Sequence, residues 1–156
     1  MSDTKYKLYT VYFGVIGILA TLLGLADILV QLGISGGIES GIMQISGDDF
    51  FRWAWGGLVV LFGGILILSG CRDIKDMHQF SKVLLGSVMV WIIAGCDIFA
   101  MICESIPAPA DAPGFLNSFA GFTGGFAPPY APAVILLPFT FAALLMYYTE
   151  GYAKED

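Results

Sequence analysis

The side chains able to do chemistry in this chain are few, and three of them lie where charge is expensive. Asp27 falls in the apolar run 9–32 and Asp97 in the run 82–104, each long enough for a helix to cross a bilayer core of ~30 Å. An ionisable group inside such a helix costs roughly 2.5–3.5 kcal/mol on insertion scales, so it is expected to be paired or functional. Arg52 opens a third apolar run, and Gln31 follows Asp27 by one helical turn. Two acids and one base leave an excess negative charge, which a proton or a bound cation can meet. The plainer alternative is a structural network, with Arg52 satisfying one or both acids and holding the helices in register. Enzyme chemistry needs a nucleophile with a base or a metal-ligand set, and the sequence presents neither. The expected class is non-enzymatic, with no cofactor and no metal.

Four apolar runs must position these residues, at about 9–32, 50–70, 82–103 and 132–149. They predict an all-α membrane protein: one domain over 1–156, a four-transmembrane-helix bundle with short interfacial helices in its outer loops, 33–49 and 104–131. Composition agrees. Hydrophobic residues make up 57% and charged residues 13%, where soluble domains average about 25% charged. The net charge of −6 argues against a nucleic-acid partner and offers no polybasic patch for anionic lipid, so the bilayer partner is met through the apolar spans. The first run exceeds the 7–15 residues of a signal-peptide core and no A-x-A site follows it, so it is expected to stay as a transmembrane helix.

Small residues mark the faces on which these helices meet. Gly17, Ala20, Gly24, Asp27 and Gln31 recur every three or four residues, so the first helix carries its polar groups on a small-residue stripe. Gly56, Gly63 and Gly70 repeat every seven in the second, with Gly57 and Gly64 beside them. A Gly-rich phosphate loop would need a following Lys-Ser/Thr, which is missing. Gly86, Val90, Ala94 and Asp97 form a similar stripe in the third helix. LLGLADI at 22–28 and IIAGCDI at 92–98 align at an offset of 70 residues, a candidate duplication of two helical hairpins. In the fourth run Pro138 frees the Val134 carbonyl and predicts a kink, with Thr140 or a neighbouring helix re-satisfying it.

The loops add orientation and little chemistry. Lys5, Lys7, Arg72, Lys75, Lys82 and Lys154 fall in the two tails and around the loop 71–81, while the loops 33–49 and 104–131 carry no Lys or Arg. Positive-inside bias places both termini and the loop 71–81 in the cytoplasm of a multi-pass cell-membrane protein. In the first outer loop Ile34, Ile38, Ile42 and Ile45 have helical spacing, against which Gly36, Gly37 and Gly41 argue. Ser46 with Asp49 reads as the N-cap of the second helix. In the long outer loop Phe115, Phe119, Phe122 and Phe126 make one aromatic face of a short helix. His78, the single histidine, has no visible partner in its loop, and Cys71, Cys96 and Cys103 form no CxxC pair. LSGC at 68–71 resembles a lipoprotein cleavage box but lies deep in the chain and on the cytoplasmic side, and reads as chance.

With this orientation Asp27, Asp97, Arg52 and Pro138 converge on the outer half of the bundle. The functional expectation is a cation, proton or small solute bound there, in a protein of transport or channel type working as a homo-oligomer. The alternative is an accessory or assembly subunit of a larger membrane complex. Its glycine stripes and phenylalanine loop would then be docking surfaces, and its acid–Arg cluster purely structural.

Overall fold

The computed structural model describes residues 3–104, 123–124 and 126–149, and they are mostly helical. Helix α1 (Asp3–Gln31) is followed by strands β1 (Ile38–Ser40) and β2 (Met43–Ile45), then by a π-helical turn (Phe50–Trp55) that runs into α2 (Gly56–Gly70). A 3-10 turn (Cys71–Asp73) leads to α3 (Met77–Glu104), and the described chain ends in α4 (Pro132–Thr140) and α5 (Ala142–Thr149). Among the described residues four helical stretches are long and apolar enough to cross a membrane: Thr4–Gln31, Phe50–Asp73, Met77–Cys103 and Pro132–Thr149. Their outward faces are apolar as well, with Leu8, Val11, Leu22, Phe62, Leu85 and Leu145 exposed. A water-facing helix would carry polar residues at those positions.

Helix α2 packs against α1 on one side and α3 on the other, and its glycines explain how. Gly57 and Gly64 face α1: a Cβ at Gly57 would lie 3.0 Å from the Gly24 carbonyl oxygen, and one at Gly64 would lie 2.9 Å from that of Gly17. Gly63 and Gly70 face α3, where Gly63 abuts the Gly86 carbonyl and Gly70 the Gln79 carbonyl. Gly56 sits more loosely, 3.4 Å from Ile93. Two heptad-spaced glycine faces on one helix thus bring three backbones together, where side chains would hold them apart.

The core between the helices falls into three clusters along their length. Phe13, Ile67, Phe80 and Met146 fill one end. Ala20, Val60, Val90, Ala94 and Leu136 form a narrow waist, and Val30, Ile45, Trp53 and Ala131 close the other end beneath the β-hairpin.

Several expectations need correction. The segment 33–49 holds an antiparallel hairpin and no interfacial helix, so the fold is not purely α. Ile38 pairs with Ile45 and Ser40 with Met43, and Gly41 turns the chain at φ +51°, a conformation glycine enters without strain. The helical spacing of the isoleucines misleads because two of them are cross-strand partners and Ile34 and Ile42 are exposed. Tyr130 bridges to the hairpin edge, donating from its amide to Ile42 O at 2.8 Å and accepting at its carbonyl from the Gln44 amide at 3.0 Å. Helix α3 begins at Met77, earlier than expected, because Asp76 caps it and accepts the Gln79 amide at 3.3 Å. His78 is therefore an exposed helical residue and not part of a loop.

The fourth stretch is broken beyond Pro138, at Phe141, into α4 and α5. Thr140 Oγ1 donates to Leu136 O (3.1 Å) and Leu137 O (2.9 Å), and not to the Val134 carbonyl. The break is also held from neighbouring helices: Trp91 Nε1 donates to Thr140 Oγ1 at 2.9 Å, and the Tyr12 hydroxyl donates to Phe139 O at 2.9 Å. Phe115, Phe119 and Phe122 lie outside the described residues, as does Lys154, and Phe126 belongs to a turn.

Candidate functional site

The two acids carried by the apolar helices occupy the level between the small-residue waist and the hairpin-end cluster. Asp27 continues the buried stripe of Gly17, Ala20 and Gly24 on α1, and Asp97 continues that of Gly86, Val90 and Ala94 on α3. Both are almost fully buried, at 4% and 5% exposure. They face the same interior from opposite sides of α2 and lie within electrostatic range of each other. Gly57 on α2 touches the Asp27 side chain: a Cβ there would lie 2.6 Å from that of Asp27. The glycine faces thus do more than pack helices; they admit a carboxyl between them.

Arg52 reaches this level from the π-helical turn. Asp49 caps the turn, accepting the Arg52 amide at 3.0 Å on its carboxylate and the Trp53 amide at 2.9 Å on its carbonyl. The Gly56 amide bonds to Phe51 O, the five-residue spacing of a widened turn, a device frequent at functional sites. From there Arg52 Nε donates to Asp97 Oδ1 at 3.0 Å, an ion pair with a third of the arginine side chain still exposed. The guanidinium also lies 5.1 Å from the Trp53 ring.

Arg52 does not satisfy both acids. Asp27 Oδ1 is buried and has no hydrogen-bond partner among the described residues. A buried carboxyl oxygen left unpaired is costly, and it is the feature of this site that packing alone does not explain. Gln31 stands apart from the acids: with its amide nitrogen turned to the loop, it donates to Asp49 O (3.1 Å) and Gly47 O (3.2 Å). It ties α1 to the cap and does not join the charged group.

The cap itself differs from the expected one. Asp49, and not Ser46, is the N-cap, and Ser46 instead donates its hydroxyl to Asp48 Oδ1 at 2.6 Å. Trp53 Nε1 donates to the same oxygen, also at 2.6 Å. These two bonds hold the Asp48 carboxyl below the usual carboxylate range. The D-x-x-R spacing of Asp49 and Arg52 was the available signal, hidden by the equally regular S-x-x-D three residues earlier.

A cleft of about 400 Å³ opens on the Arg52–Asp97 pair, walled by Asp49, Phe51, Trp55 and Ile92. Nothing in the sequence pattern pointed to Phe51 and Trp55 as its walls. Pro138 sits on another helix and does not line it. Among the described residues no three His, Cys, Asp or Glu side chains converge as metal ligands.

Among the described residues, four helical stretches long and apolar enough to cross a membrane surround the Arg52–Asp97 pair. Compared with known proteins, the chain matches no protein-family model, no curated protein and no solved structure.

Proposed function

We propose that the chain is a non-enzymatic four-helix membrane bundle that binds a cation, proton or small solute at Asp27, Asp97 and Arg52, as a transport- or channel-type protein. The observation that carries this reading is the buried Asp27 oxygen, without a hydrogen-bond partner among the described residues and within electrostatic range of an Asp97 to which Arg52 is already committed. Two acids against one base leave one negative charge for an outside ligand to neutralise. Positive-inside bias sets the cluster in the outer half, with both termini cytoplasmic. Asp27 and Asp97, the matched acids of the two similar segments, lie within electrostatic range of each other, as a pair of related hairpins would arrange them.

The accessory-subunit reading draws less support. Its docking surfaces would be the glycine stripes and the phenylalanine loop; Gly57, Gly63, Gly64 and Gly70 are already occupied by α1 and α3 of the same chain, and Phe115, Phe119 and Phe122 lie outside the described residues.

Titration calorimetry of the purified protein against inorganic and organic cations tests the proposal. The expected result is one saturable site per chain, lost in Asp27→Asn and in Asp97→Asn. Absence of any heat, with no proton uptake or release over the same range, leaves only the structural network.

A further inference from the structure

The cleft beside Asp97 narrows the class of ligand. Its floor is the Arg52–Asp97 pair, its rim includes Asp49, and its side walls are Phe51, Trp55 and Ile92. Asp27 adds a further acid behind that floor, within range of Asp97. Counted formally, the cleft lining carries two acids, Asp49 and Asp97, against one guanidinium, so the local charge is negative and an anion is disfavoured.

The walls argue against a bare metal ion. A volume of about 400 Å³ falls in the range of pockets for small organic ligands. A divalent cation needs several converging oxygen, nitrogen or sulfur ligands, and among the described residues no three His, Cys, Asp or Glu side chains converge in that way. The wall residues Phe51, Trp55 and Ile92 are 77%, 56% and 58% exposed. Aromatic faces next to carboxylates are what an organic cation selects, through cation–π attraction and burial of its apolar body. The mouth is flanked by apolar side chains that suit lipid, so such a ligand can enter sideways from the bilayer interface.

Resting on the cation-site reading, we infer that the ligand is an amphipathic organic cation, a quaternary ammonium or phosphonium group with an apolar body, held between Trp55 and Phe51 with its charge toward Asp97. Its charge offsets the excess acid, and its body fills space that no ion would.

Tetraphenylphosphonium is the probe, read by quenching of tryptophan fluorescence in detergent, with neutral triphenylmethane as the control for partitioning into micelles. Saturable quenching is expected for the cation alone. Trp55→Phe, which keeps an aromatic wall, should retain binding, and Trp55→Ala should weaken it about three- to tenfold. Asp97→Asn should weaken it more than about tenfold. Trp55 is half exposed, so its variants fold even if Asp97→Asn does not. Equal quenching by the neutral control, or binding unchanged in Trp55→Ala, overturns the inference. If tetraphenylphosphonium fails while sodium, potassium or protons still bind, the ligand class is wrong and the site stands. If all fail, both are wrong.

Discussion

At the scale of single residues, Arg52 divides itself between two partners. It gives Nε to Asp97 and its backbone amide to Asp49, and nothing to Asp27 Oδ1. Arg52→Ala should therefore strand Asp97, next to an Asp27 that draws nothing from Arg52 to begin with. Removing one member of a fully buried pair costs about 3–5 kcal/mol; a third of the Arg52 side chain is exposed, so about 1–3 kcal/mol is expected here after solvent screening. Denaturation in mild detergent measures it, and a loss below 0.5 kcal/mol, on the order of an ordinary surface change, would show that the pair holds nothing. Asp48 makes a separate prediction outside the spans. Its carboxylate is held by Ser46 and Trp53, which lowers its pKa in the folded protein. Its contribution is fully present above the unfolded value of about 3.9 and is lost as pH falls through the lower folded value. Melting curves taken downward from about pH 5 should lose this component in Asp48→Asn, whereas superimposable acid limbs would mean the bonds carry no stability.

At the scale of elements, α2 is the part that others are fitted to. A side chain at Gly63 would drive into the Gly86 carbonyl of α3, and forced overpacking of this kind costs about 1–3 kcal/mol or more. Gly95 has nothing near its missing Cβ. Gly63→Leu should thus lower the melting temperature or abolish folding, and Gly95→Leu should behave like wild type. Equal tolerance of both would mean that α2 and α3 do not pack through glycine. The sequence made this much legible: helix spans follow from apolar length, and the glycine repeats and acid-bearing stripes follow from 3.6-residue periodicity. What it hid depends on partners distant in the chain. The hairpin is fixed by cross-strand pairs and by Tyr130, the break after Thr140 by Trp91 and Tyr12, and the π-helical turn by an amide bond one residue longer than an α-helix makes. The acids could be paired on paper, but which of them Arg52 would choose could not.

At the scale of the whole molecule, orientation and occupancy remain the consequences to measure. In a cysteine-free background, Ile42→Cys in the hairpin turn should react with an impermeant thiol reagent added to intact cells. His78→Cys at the start of α3 should react only after the membrane is opened. The reverse pattern would invert the bundle and put the acid cluster in the cytoplasmic half. The central claim is that this cluster holds an exogenous positive charge and is not merely balanced by Arg52. Its most direct test is the melting temperature of the wild-type protein as a function of cation concentration, beside the triple variant Asp27→Asn, Arg52→Gln, Asp97→Asn. A ligand that binds only the folded state stabilises it by mass action, about 2.7 kcal/mol at a hundredfold excess over Kd. The wild type should rise with the cation and saturate, while the triple variant, which leaves no buried charge uncompensated, should fold and stay flat. A wild-type melting temperature indifferent to pH and to every cation tried, inorganic or organic, would contradict the claim.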